Sequence, residues 1–386
     1  FAGIAITDNS ANASTQGSWQ YSTDHVHWSD IGVVSPSAAL LIASDSYIRF
    51  NPAINYNGSP PGLVARLVET GGSINFSNYD NGQFIPLTTD VSSSGGATRI
   101  SDGNNAVTLT TSVTAVNDAP TALAPTTNLT SVLEDTVNPP GDTIGHLFGS
   151  ATVFSDAADQ VTGGSTANNF AGIAITSNPS NDTSNANNQG SWQYSLDRTN
   201  WINVGSVTPT GALLLDTNTY LRFLPVANYN GQPTALTAQL VDDSAPTLFT
   251  YDVTQPFYQD ASDTNTGGTT QFSNSSNAVT LYTAITSVND APVGTDKTVT
   301  TLEDNSYTFS TSDFGFTDPN DTPANNFAAV KITTLPSVGT LQLNQESVTV
   351  GELINVSDIG NLTFTPVANA NGPSYASFTF QVQDDG

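Results

Sequence analysis

Acidic residues recur through this sequence at matching places, and their chemistry is that of hard-cation ligands. Glu134-Asp135 stands in "LEDT" and Glu303-Asp304 in "LEDN". Further on lie Asp156 with Asp159, and then Asp318, Asn320 and Asp321 in "FTDPND". Asp242-Asp243 and Asp384-Asp385 follow a strand-like run, where the first copy has the single Glu69. Asn117-Asp118 and Asn289-Asp290 belong to two copies of "VNDAP", at 116–120 and 288–292. Adjacent carboxylates repel each other. Bound Ca²⁺ removes that penalty and takes roughly six to eight oxygens from Asp, Glu, Asn and backbone carbonyls. Asp and Asn favour turns in any protein, so one doublet would carry little. Clusters recurring in step make Ca²⁺ the expected cofactor.

The charge balance agrees. The chain of 386 residues has 34 Asp+Glu against 7 Lys+Arg, a formal net charge of −27. Such a surface repels phosphate backbones, which argues against nucleic acid, and it disfavours anionic membranes. Only 11% of residues are charged, so Asn, Ser, Thr and Gly supply most of the polarity. There is no Cys, which rules out disulfides and thiolate metal sites. Catalytic patterns are missing too. The three His residues, His25, His27 and His146, form no zinc-protease motif, and no Gly-rich phosphate loop occurs. The expectation is that this is not an enzyme.

These acids must be positioned by repeated elements. "FAGIAIT" at 1–7 recurs at 170–176, and "GSWQYS" at 17–22 recurs at 190–195. "NYNG" at 55–58 recurs at 228–231, and "NAVTL" at 105–109 recurs at 277–281. A shorter third copy has "NNFAAVKIT" at 325–333 and "PVANANG" at 366–372. The boundaries read as 1–118 for the back of one repeat, 119–290 for a whole one and 291–386 for the front of a third. Both ends fall inside a repeat and no signal peptide opens the chain, so a segment of a longer tandem array is expected. No apolar run is long enough for a transmembrane helix, so membrane insertion is not expected.

The local patterns are strands. "GIAIT", "YIRFNP", "LVARLVE" and "AVTLTTSVTAV" are short, rich in β-branched or aromatic residues, and separated by Gly, Asn, Asp and Pro. Many short strands with frequent turns imply an all-β chain of tandem β-sandwich repeats set end to end. Asn57-Gly58, Asn230-Gly231 and Asn371-Gly372 each read as a hairpin turn with positive φ at both positions. Segments 70–98 and 243–270 are long, polar and different, and read as surface excursions. Their aromatics Tyr79, Phe84, Tyr251, Phe257 and Tyr258 are expected to be exposed. "YSTDHVHW" and "YSLDRTNW" resemble the Asp-box turn of sialidases, with its Gly missing and Trp one position early. Ser22 with Asp24, and Ser195 with Asp197, are expected to brace these turns, with Trp28 and Trp201 packing nearby and Trp19 and Trp192 filling cores. In "VNDAP", Pro120 and Pro292 lack an N–H, so strand pairing stops there.

"VNDAP", "LED", "FTDPND", "LTFTPVANANG" with "FTFQVQDDG", and "GSWQYS" together resemble the cadherin-like tandem repeats of giant bacterial repeats-in-toxin surface adhesins. The resemblance covers nearly the whole chain and is closest in the third repeat. "VNDAP" looks like a shortened cadherin linker without its outer acidic positions. The resemblance implies Ig/cadherin-like β-sandwiches held outside the cell and stiffened by calcium, as a stalk in attachment and biofilm formation. Carried onto this chain, it assigns Asn117, Asp118, Glu134, Asp135, Asp156 and Asp159 to the first junction. Asn289, Asp290, Glu303, Asp304, Asp318 and Asp321 go to the second. Asp242, Asp243, Asp384 and Asp385 serve either a junction or a site within a repeat. The expected partners are neighbouring repeats and a cell-surface or glycan ligand. Two other readings stand beside the stalk. One is a glycan- or protein-binding module using 70–98 and 243–270; the other is a filament subunit joined by strand exchange.

Overall fold

The computed structural model of the protein describes residues 1–181 and 189–386. The chain is all-β, and its helical turns are short, the longest spanning Val356–Asn361. No sheet among the described residues takes strands from more than one of the spans 1–118, 119–290 and 291–386.

In residues 119–290 two sheets face each other. One runs in the order Thr126–Asn128, Val279–Tyr282, Leu236–Asp242, Phe170–Ser177, Ala212–Asp216, Tyr258–Gln259. The other runs Asp142–Thr143, Tyr220–Pro225, Gly190–Ser195, Ile202–Asn203. Alternation decides which side chains go inside. In Gly190–Ser195, Trp192 and Tyr194 point inward at 1% exposure each, while Ser191 and Gln193 are half-buried. They meet Ile173, Ile175, Leu213, Leu215 and Leu240 from the facing sheet. The indole nitrogen of Trp192 donates to the Thr234 carbonyl at 3.0 Å, so burial leaves no polar atom stranded there. Trp19 repeats this in the first span, buried and donating to the Pro61 carbonyl at 2.9 Å.

The leading segment of the second span runs along the whole unit. Thr126–Asn128 lies parallel to Thr280–Tyr282, and Val132–Leu133 lies parallel to Ile285–Thr286. It therefore starts beside "VNDAP" of the first repeat and delivers Glu134 to the opposite pole. It also helps to cover Val279 and Leu281, which are 0% exposed.

The two excursions are more than surface loops. Each adds an edge strand at the same place: Thr88–Thr89 pairs with Ala39–Leu40, and Tyr258–Gln259 pairs with Ala212–Leu213. Each also lays a small apolar layer on the outer face of its sheet, through Phe76, Leu87 and Val91, or Phe249, Phe257 and Ala261. Gly3 and Gly172 lie beneath these layers. A Cβ on Gly3 would clash with the Ile42 carbonyl oxygen and stand 2.6 Å from the Phe76 ring, and one on Gly172 would clash with the Leu215 carbonyl oxygen and stand 2.7 Å from the Phe249 ring. The third span carries Ala329 at the equivalent strand position. Tyr251 is 68% and Tyr258 46% exposed, as their polar surroundings suggest. Phe84 and Phe257 instead pack onto their own units, and Tyr79 stacks on His27 with ring centroids 4.3 Å apart.

The Asn-Gly turns differ from expectation. Positive φ falls on Asn55, Asn228 and Asn369, two residues earlier, as well as on Gly58, Gly231 and Gly372. The tight turns are Ala53–Tyr56, Val226–Tyr229 and Val367–Ala370, each closed by a backbone hydrogen bond. An Asn in the third position of a turn accepts the left-handed conformation because its short polar side chain tolerates it. Asn57, Asn230 and Asn371 are thereby freed to make side-chain contacts at the pole of each unit.

The Asp-box-like turns are braced as expected. Asp24 accepts from the backbone N–H of Val26 and His27 at 2.9 and 2.8 Å. Asp197 accepts from Thr199 and Asn200 at 2.8 and 2.7 Å. Arg49 lies 4.1 Å over Trp28, and Arg222 lies 4.0 Å over Trp201.

Candidate metal centre

At the pole between residues 119–290 and 291–386, four segments meet. The parallel strand brings Glu134, whose backbone N–H donates to the Thr286 carbonyl at 2.9 Å. Its carboxylate accepts from the Val288 N–H at 2.6 Å and the Asn230 amide at 3.2 Å. "VNDAP" brings Asp290, whose N–H donates to the Asp321 carboxylate at 3.1 Å. The loop of the third span brings Asp318 and Asp321, with Asn320 between them in sequence. Glu134, Asp290 and Asp321 can each offer one carboxylate oxygen with all three atoms within 4.8 Å of one another. They are the one such group of three or more among the described residues, and they could hold a metal ion.

This regroups the acids. Glu134 and Asp135 do not serve the first junction. They sit at the far pole of the second unit, because their strand runs parallel to the last one for its full length. Asp135 there accepts from the Asn228 N–H at 3.0 Å. Glu303 and Asp304 repeat the arrangement at the far pole of the third span, away from Asp290. Glu303 accepts from the Asn371 amide at 2.7 Å, and Asp304 accepts from the Asn369 N–H at 2.8 Å.

The first junction repeats the other half of the second. The Asp118 N–H donates to both Asp159 oxygens at 3.1 and 3.2 Å. The Asn168 N–H donates to Asp156 at 2.5 Å, and its side-chain amide donates to Asn117 and Asp159, both at 2.9 Å. Asn325 does the same at the second junction, donating to Asp318 and Asn289 at 2.5 Å each. Asn57 and Ser165 add two bonds across the first junction, at 2.8 and 2.6 Å.

Hydrogen bonding sorts the carboxylates into two kinds. Asp243 accepts from the N–H and side-chain amide of Asn169 at 2.7 and 2.9 Å, and Asp385 does so from Asn326 at 2.7 and 3.1 Å. These two brace loops, and each of their oxygens accepts a hydrogen bond. Asp156, Asp242, Asp290 and Asp318 differ, since each keeps one buried oxygen without a hydrogen-bond partner. Asp156 is 4% exposed, Asp242 0% and Asp318 7%. Asp384, also buried, accepts from the Gly386 N–H at 3.2 Å. The recorded ion pairs lie elsewhere, at Asp24, Asp142 and Asp313.

Burial without a cation has an electrostatic signature. Burial, with the charges of Asp159 and Asp242 adding to it, pushes the Asp156 carboxyl up to about 6. Asp242 and Asp159 are raised for the same reasons. Asp290 is raised by burial and by the surrounding Asp135, Asp321, Glu134 and Asp318. Asp24 and Asp197 move the other way, held well below the usual carboxylate range by donors: His27 above all for Asp24, the Asn200 N–H for Asp197. An orphaned carboxylate oxygen, buried among like charges, costs free energy that a bound cation would recover.

Sequence reading missed Asn168, Asn325 and Asn230. The signal was present in "ANNF", at 167–170 and 324–327, but a paired Asn before a strand reads as a turn until its partners are known. The chain matches no protein-family model and no curated protein.

Proposed function

We propose that this chain is a calcium-stiffened stalk segment of a secreted bacterial surface adhesin or filament, structural rather than catalytic, with a role in attachment and biofilm formation. One observation carries the reading: orphaned buried carboxylate oxygens gather at both joins between units. Ca²⁺ fits this donor set because it is hard, takes only oxygens and tolerates irregular geometry. At the second join Glu134, Asp290 and Asp321 would hold it, drawing on the leading strand of one unit, the linker, and a loop of the next. Asp156, Asp159 and Asp242 would hold a cation at the first, with Asp318, Asp321 and Asp384 as their counterparts in the third span. An ion held by both units removes their freedom to hinge. The cadherin-like resemblance of "VNDAP", "LED" and "FTDPND" supports the same reading, as does the net charge of −27. The extracellular placement follows from the resemblance. Among the described residues no helix is long and apolar enough to cross a membrane.

Small-angle scattering in calcium and in chelator tests this. The maximum dimension is expected to stay sharp in calcium and to broaden in chelator. Glu134→Gln should weaken calcium binding at the second join by roughly tenfold, since it removes one of few anionic ligands. Identical scattering in both conditions, with no calorimetric sign of calcium binding, would end the proposal.

A further inference from the structure

A cavity of about 340 Å³ lies where the 243–270 excursion meets the first "VNDAP". Its volume is at the lower end of small-ligand sites, roughly 300–1,000 Å³. Asn117, Gln259, Asn265 and Gln271 line it with amides, alongside Ser244 and Phe272. Every lining side chain is uncharged, in a chain with 34 acidic residues. One wall is fixed, because the Asn117 side chain donates to the Thr270 carbonyl at 3.0 Å and accepts from Asn168 at 2.9 Å. Gln271 carries a buried amide oxygen without a hydrogen-bond partner.

The lining selects a ligand class by elimination. A cation finds no carboxylate in the wall. An anion meets the acids next in sequence, Asp118 beside Asn117 and Asp243 beside Ser244. An apolar ligand would strip water from the amides of Gln259 and Asn265 and leave them unpaired, at a cost of about 1–3 kcal/mol each. A neutral polyol answers all three objections. Each hydroxyl both donates and accepts, and each amide side chain offers both an N–H and a C=O. We propose that this cavity binds a neutral sugar ring. Of its lining residues only Asn117 belongs to the first junction's set, and the ligand involves no calcium, so the site is tested separately from the stalk reading.

The test uses the full 386-residue chain in saturating calcium. Methyl glucoside, methyl galactoside, methyl mannoside and methyl N-acetylglucosaminide are titrated by ligand-observed NMR, with glucuronate as the charged control. At least one neutral sugar should bind and glucuronate should not. Gln271→Leu and Gln259→Leu keep side-chain bulk while removing the amide, and each should lower affinity by roughly tenfold, the loss of one well-made buried hydrogen bond. Tyr79→Ala, in the other excursion, should leave binding unchanged. The proposal fails if no neutral sugar binds, if glucuronate binds equally well, or if both Leu variants melt like the parent and bind sugar as tightly. Calcium titration of the same samples reports on the stalk reading separately.

Discussion

Asp156 shows how one residue can report the state of a whole site. Its carboxyl is pushed up to about 6, above the ordinary value of 3.8. At this carboxyl the folded protein therefore binds more protons than the unfolded chain between about pH 4 and pH 6. Its contribution to stability falls as pH rises through that window, because the proton favours the folded state there. For the metal-free protein the melting temperature should rise as pH is lowered from 7 to 5. Each pKa unit is worth about 1.4 kcal/mol, so Asp156 alone accounts for up to roughly 3 kcal/mol. In calcium the slope should reverse, since protons and the ion compete for the same oxygens. Asp156→Asn should flatten the chelator slope, raise metal-free stability at pH 7 and remove much of the stabilisation by calcium. Thermal melts across pH in chelator check this, and a flat profile for the parent chain would contradict it.

At the scale of elements, a glycine and an excursion depend on each other. "FAGIAIT" carries Gly where the ring of Phe76 or Phe249 lies against the strand and a carbonyl of the neighbouring strand stands close. Gly172→Ala would set its Cβ against the Leu215 carbonyl as well as the Phe249 ring, and should cost about 1–3 kcal/mol, the usual penalty of overpacking. Chemical denaturation of the variant would measure it, and an unchanged midpoint would contradict it. The same pairing separates what the sequence made legible from what it did not. Strands were readable from alternation, and the repeat register was readable from quoted matches. The role of the excursions was not, because their polar, irregular sequence hides the few rings that cover an outer sheet face. The Asn-Gly turns misled for a related reason. Local propensity favoured positive φ at Asn57, Asn230 and Asn371, but the turn forms two residues earlier and these side chains reach out of the loop instead.

At the scale of the molecule, the first join is bridged by contacts that need no ion. Asn57 exchanges two hydrogen bonds with Ser165, and Gly58 packs against Gly163. Asn57→Ala should loosen the first join without unfolding either unit. Scattering in calcium should show a broader range of lengths for the variant, while its melting temperature stays that of the parent. A variant as rigid as the parent would show that these bonds are incidental.

By itself the sequence determined the all-β class, the repeat period and the inventory of acids, because alternation, turn residues and identity between copies are local and can be counted. The acids that share a join were decided by the tertiary structure alone. Glu134 lies closer in sequence to Asp118 than to Asp290, yet it stands beside Asp290 and Asp321. The cause is the parallel pairing of Val132–Leu133 with Ile285–Thr286. Parallel strands place both ends at the same pole, so the leading strand carries its carboxylate the length of the unit to meet the chain on its way out. That pairing joins residues some 150 positions apart, and no local pattern records it.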